Sequence, residues 1–70
     1  MSDTTRDPRK DPKPGDVLRT STDERIVNAV TSAYVEVHTS RVYQGANWLY
    51  PSPGQFRRWA KHAEVIYHAK

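Results

Sequence analysis

The chain contains no cysteine, only three glycines and one phenylalanine, and no long apolar run. Without cysteine it has neither the disulfide staples nor the thiolate metal clusters that often hold small domains together. The glycines, Gly15, Gly45 and Gly54, are each isolated, so no glycine-rich loop exists to cradle a phosphate. No segment approaches the roughly 18 to 20 apolar residues of a membrane span, and residues 1–10 are polar with no signal-peptide core. A soluble, cytoplasmic chain without a membrane partner is therefore expected. At 70 residues and 36% hydrophobic, it buries only a thin core, which at this size seldom supplies more than about 3 to 5 kcal/mol. A deep substrate cleft does not fit that volume, so the expectation is not an enzyme.

Eleven Lys and Arg stand against eight Asp and Glu, a net charge of +3. Residues 1–13 hold Arg6, Arg9, Lys10 and Lys13 against Asp3, Asp7 and Asp11, alternating in sign, so this stretch is nearly neutral and is no dedicated basic arm. Its apolar content is the initiator methionine alone, with Pro8 and Pro12 among the charges. Such a segment cannot repay about 1 to 2 kcal/mol per ordered residue, and residues 1–13 are expected to be a disordered polar tail.

The domain is expected over residues 14–70. Pro14-Gly15-Asp16 is a turn signal, followed at once by the β-type run Val17-Leu18-Arg19-Thr20. After a polar turn, residues 25–31 form a second β-branched run, and residues 34–39 alternate Val35 and Val37 against Glu36 and His38, the pattern of a half-buried strand. Residues 41–44 read as a further strand or a strand end before the loop Gly45-Ala46-Asn47, which offers a positive-φ position, and Trp48-Leu49-Tyr50 resumes the apolar run. Ser52-Pro53-Gly54-Gln55 matches a capping box with proline at the first helical position. On the short helix that follows, Phe56, Trp59, Ala60 and Ala63 make an apolar stripe, with Arg57, Arg58 and Lys61 elsewhere. Residues 64–68 read as the last strand.

Five short strands in about 55 residues are too few for an ordinary two-sheet sandwich, and the economical solution is a small, strongly bent barrel. Pro14-Gly15-Asp16-Val17-Leu18-Arg19, a valine-rich hairpin, and a last strand after a short helix together resemble small SH3-like barrels of bacterial and bacteriophage proteins of unassigned function, over residues 13–68. The expected fold is mainly β: a small SH3-like five-stranded barrel with one short helix before the last strand. The resemblance implies binding rather than catalysis, and a bacteriophage or prophage interaction protein would fit it.

His38, His62 and His68 do not sit at metal-ligand spacing, and no glycine-flanked nucleophile is present, so no metal, cofactor or catalytic residue is expected. The seven aromatic residues are more informative. About three or four can be enclosed, with Phe56, Trp59 and Tyr67 holding the strongest claims on the core. Trp48 either plugs a barrel end or joins Tyr34, Tyr43 and Tyr50 in an exposed aromatic platform. Arg57, Arg58 and Lys61 form either a solvated helix face or a basic ridge that Arg41 and Arg25 extend. The candidate partner-binding residues are thus Tyr34, Arg41, Tyr43, Trp48, Arg57, Arg58 and Lys61. A monomeric, non-catalytic interaction module with a protein partner is the first expectation. The alternative is a nucleic-acid-binding module, in which arginines contact phosphates and an aromatic stacks on a base. A third reading, a homo-oligomer joined through an open strand edge, stays available.

Overall fold

The structure, a computed structural model, describes residues 6–43 and 45–69, with backbone alone at 41–43. Five strands, β1 (Val17–Arg19), β2 (Glu24–Val30), β3 (Val35–Tyr43), β4 (Ala46–Leu49) and β5 (Glu64–Tyr67), pair antiparallel in the order β4-β3-β2-β1-β5. One helix, α1 (Pro53–Ala60), connects the two edge strands β4 and β5. The protein is therefore mainly β with one short helix before the last strand. Among the described residues β4 and β5 do not pair, so the sheet is open.

Alternation along the strands sends one set of side chains inward. Leu18, Val27, Val35 and Val37 meet Phe56 and Ala60 of α1, with Ala63 just beyond it, and Leu49, Trp59 and Val65 close the margins. Every element contributes to this one core. The ladder slips register in β1/β5, β2/β3 and β3/β4, and each slip sharpens local twist and bend.

Local chemistry explains the boundaries. Thr31 Oγ1 accepts the N–H groups of Ala33 and Tyr34, at 3.1 and 3.0 Å, and turns β2 into β3. β3 continues past residue 39, where the sequence suggested a break, because the Ser40 hydroxyl accepts the Glu24 N–H at 2.9 Å and ties the extended strand to β2. Gly45, at φ +85°, supplies the left-handed turn into β4, which begins at Ala46 rather than at Trp48. Ser52 and Gln55 form the reciprocal capping box expected from the sequence: Gln55 N–H donates to Ser52 Oγ at 3.2 Å, and Ser52 N–H donates to Gln55 Oε1 at 2.9 Å.

Residues 6–13, part of the stretch expected to be a disordered tail, pack on the domain. Arg6 forms an ion pair with the fully buried Asp16, and Pro8 is buried. The Asp7 carbonyl accepts the N–H groups of Lys10 and Asp11 in a tight turn. Asp16 also accepts the backbone N–H groups of Lys13 and Ala69, at 2.8 and 2.7 Å, so one carboxylate fastens both ends of the described chain. Apolar content alone does not reveal this anchoring, because the interactions that order the segment are charge-assisted hydrogen bonds.

Candidate functional site

The outer face of the sheet carries a row of side chains in register across all five strands. Trp48 on β4 pairs with His38 on β3, His38 with Ile26 on β2, Ile26 with Val17 on β1, and Val17 with Tyr67 on β5. Directly opposed residues share a face and lie about 4.5 to 5.5 Å apart, so the row is continuous. The rings of His38 and Trp48 meet edge to face with centroids 4.9 Å apart. Ile26, Trp48 and Tyr67 remain 42%, 43% and 56% exposed. Trp48 therefore lies on the open face, outside the core.

Tyr67 departs from its expected core role. Val17 pairs with Tyr67 while the adjoining Leu18 pairs with Val65, so β5 advances two residues where β1 advances one. The bulge turns Ile66 and Tyr67 to the same side as Val17. At one end of the row Tyr34 packs edge to face on Tyr50, with ring centroids 5.6 Å apart. Desolvation by its neighbours, and then the Glu36 carboxylate, raise the pKa of the exposed Tyr50 above the ordinary value.

Acidic residues border the row on both sides. Glu24, Arg19 and Glu64 follow one another across β2, β1 and β5, with Arg19 Nη2 3.7 Å from Glu64 Oε1. On the other side Asn28 Nδ2 donates to Glu36 Oε1 at 2.9 Å. Among the described residues this face thus holds three carboxylates and one arginine.

The expected binding surface is divided between opposite sides of the sheet, its aromatics on the outer face and its helix cations on the inner side. Arg57, Arg58 and Lys61 are exposed on or just after α1, which packs on the inner face, away from Trp48 and Tyr34. Arg25, expected to extend the basic ridge, is instead buried. Its Nε donates to Asp23 Oδ2 at 3.0 Å, and its guanidinium carbon lies 4.2 Å from the Trp59 ring centroid. The inward parity of Arg25, shared with Val27, places it there. Asp23 also accepts the hydroxyls of Thr20 and Thr39, at 2.9 and 3.2 Å, so the turn before β2 folds around a buried carboxylate. The side chains of Arg41 and Tyr43 lie outside the described residues.

The structure adds cations that sequence reasoning assigned to the tail. Arg9 and Lys10 face Arg57 and Lys61 across a cleft of about 540 Å3, with Asp7 on the same wall. The spacing of prolines and aspartates gave no periodic signal for this; the Arg6–Asp16 anchor and the turn at Asp7 place Arg9 and Lys10 there. Among the described residues no three His, Cys, Asp or Glu side chains are grouped to hold a metal ion, and no helix is long and apolar enough to cross a membrane.

No family model, curated protein or solved structure matches this chain.

Proposed function

We propose that this protein is a small non-catalytic interaction module that docks a protein partner on the outer face of its sheet. The observation carrying the proposal is the continuous row of Trp48, His38, Ile26, Val17 and Tyr67 across five strands. Exposed aromatics set in a rigid sheet contribute large contact area at low entropic cost, the property of interface anchors. The acidic border selects the class of partner. Glu24, Glu36 and Glu64 flank the row and disfavour a phosphate backbone, whereas they complement a polypeptide with an apolar centre and Lys or Arg at its margins. A meander with three register slips, and a helix connecting its edge strands, supports reading the fold as a partly open SH3-like barrel of the kind the sequence resembles.

A selection from a random peptide library tests this reading, with the wild-type chain as bait and a folded Trp48→Ala variant for counter-selection. Enriched peptides are expected to combine aromatic or aliphatic residues with flanking Lys or Arg and to bind the wild type alone. Failure to enrich any sequence, or equal binding to both proteins, would overturn the assignment of the face.

A further inference from the structure

The cleft between the N-terminal segment and α1 concentrates charge. Among the described residues its lining has four cations, Arg9, Lys10, Arg57 and Lys61, against one carboxylate, Asp7. That surplus of three equals the net charge of the entire chain, so the remainder of the molecule is balanced. The two walls come from different parts of the sequence, and each is fixed. On one side the Asp7–Asp11 turn is closed by backbone hydrogen bonds of 2.8 and 2.7 Å. Arg6 anchors this turn by donating to the Asp11 carbonyl at 2.9 Å and to Asp16. On the other, Arg57 and Lys61 stand one helical turn apart, with the Lys61 N–H donating to the Arg57 carbonyl at 3.0 Å. Asp7 accepts the backbone N–H and the Nε of Arg9, at 3.0 and 3.2 Å. The backbone N–H above all, and then Arg9 and Lys10, hold its carboxyl below the ordinary carboxylate value, so it is charged at neutral pH and spent on orienting Arg9.

We infer that this cleft is a binding site for phosphate groups. Clustered cations held on two preordered walls gain most from a compact, multiply charged anion, because the cations repel one another until it is bound. Arginine supplies planar, bidentate donors for phosphate oxygens, and lysine supplies point charges beside them. The volume admits a diphosphate, or a short piece of a single strand carrying two neighbouring phosphates. The acidic outer face is separate from this site, so either can exist without the other.

The test is a ¹⁵N–¹H NMR titration of the whole chain, once with pyrophosphate and once with a short oligothymidylate, each at low and at near-physiological salt. Saturable shifts centred on Arg9, Lys10, Arg57 and Lys61 are expected, with affinity at least tenfold weaker in Arg57→Glu and in Lys10→Glu and unchanged in Trp48→Ala. The two arms separate the sources. Pyrophosphate binding alone identifies a small phosphate ligand, whereas tighter strand binding, with a log–log salt slope of about −2 to −3, identifies a nucleic-acid strand. The inference is overturned if neither probe saturates at low salt, if both charge reversals leave affinity unchanged in folded protein, or if Trp48→Ala abolishes binding. Lys10 lies in a turn outside the sheet and helix, so its variant remains informative even if Arg57→Glu destabilises α1.

Discussion

Arg6 grips Asp16 through both of its terminal nitrogens, Nη1 to Oδ2 at 2.8 Å and Nη2 to Oδ1 at 3.1 Å. The carboxylate is fully buried and also receives the Lys13 and Ala69 N–H groups. Removing one member of a buried pair leaves the other without compensation and costs about 3 to 5 kcal/mol. Asp16→Asn and Arg6→Met are each expected to lose about that much, comparable to the whole stability of a chain this small. Urea unfolding followed by tryptophan fluorescence measures the loss. A shift in midpoint corresponding to less than about 1 kcal/mol for both variants would mean that the pair is not the clamp described.

The same pair sets an acid limit. Burial opposes ionisation of Asp16, but the Arg6 guanidinium and the Lys13 and Ala69 N–H groups outweigh it, and the carboxyl is held below its ordinary value of 3.8. A depressed pKa stabilises the fold fully above the unfolded value, and that stabilisation fades as pH falls from 3.8 towards the folded value. Thermal stability is therefore expected to stay level near neutrality and to drop below about pH 4, and Asp16→Asn is expected to flatten that drop. Parallel melting curves at several pH values, recorded for both proteins in a stabilising osmolyte that keeps the variant folded, decide it, and an equal acid drop in the variant would assign the effect to other carboxylates.

How much of this was legible in the sequence follows from the range of each interaction. The capping box of Ser52 and Gln55, the positive φ of Gly45 and the inward parity of Val35 and Val37 are local, and local pattern specifies them. The outward turn of Tyr67 was hidden because it depends on a bulge created by pairing with β1, some fifty residues earlier. Arg25 looked like a surface cation, yet its parity and the buried Asp23 draw it over Trp59. The anchoring of residues 6–13 was hidden for a related reason: Asp16 acquires its partners from both ends of the chain. For the candidate surface, the number of aromatics exceeded what a small core encloses and left Trp48 open between a barrel plug and an exposed platform, while the separation of Tyr34 and Trp48 from Arg57, Arg58 and Lys61 required knowing which face α1 covers.

Trp59 is half-buried, with its ring 6.0 Å from that of the fully buried Phe56 and with Arg25 over its face. Trp59→Ala removes packing area, the cation–π contact and the shield over the Asp23–Arg25 pair together. The expected cost is about 3 kcal/mol, at the lower end for a truncated tryptophan because part of the ring is already in water. Trp59→Phe keeps the aromatic face and is expected to restore more than half of the loss. Circular dichroism melts of the two variants measure the difference. Equal melting points for both would show that the aromatic face retained by phenylalanine, and with it the Arg25 contact, carries no energetic weight.

Trp48 is the opposite case, and the two tryptophans separate stability from recognition. Its side chain rests on the outer face against His38 and belongs to no part of the buried cluster. Truncation forfeits one aromatic cross-strand pair, about 0.5 to 1.5 kcal/mol, and leaves the backbone ladder between β3 and β4 in place. Trp48→Ala is therefore expected to stay cooperatively folded under conditions where Trp59→Ala is largely unfolded. Because Trp48 ends the apolar row at an edge strand, a docking partner must cover it to cover the row. Loss of at least tenfold in affinity for a selected peptide, with no change in its on-rate dependence on salt, is the expected signature of a lost apolar anchor. Replacing Glu36 with Lys is expected to do the converse, weakening peptides rich in Lys and Arg through a slower, salt-sensitive association, because that carboxylate borders the row without filling it. Surface plasmon resonance on the two variants separates these effects, and a Trp48→Ala protein that binds as tightly as wild type would remove the outer face from consideration.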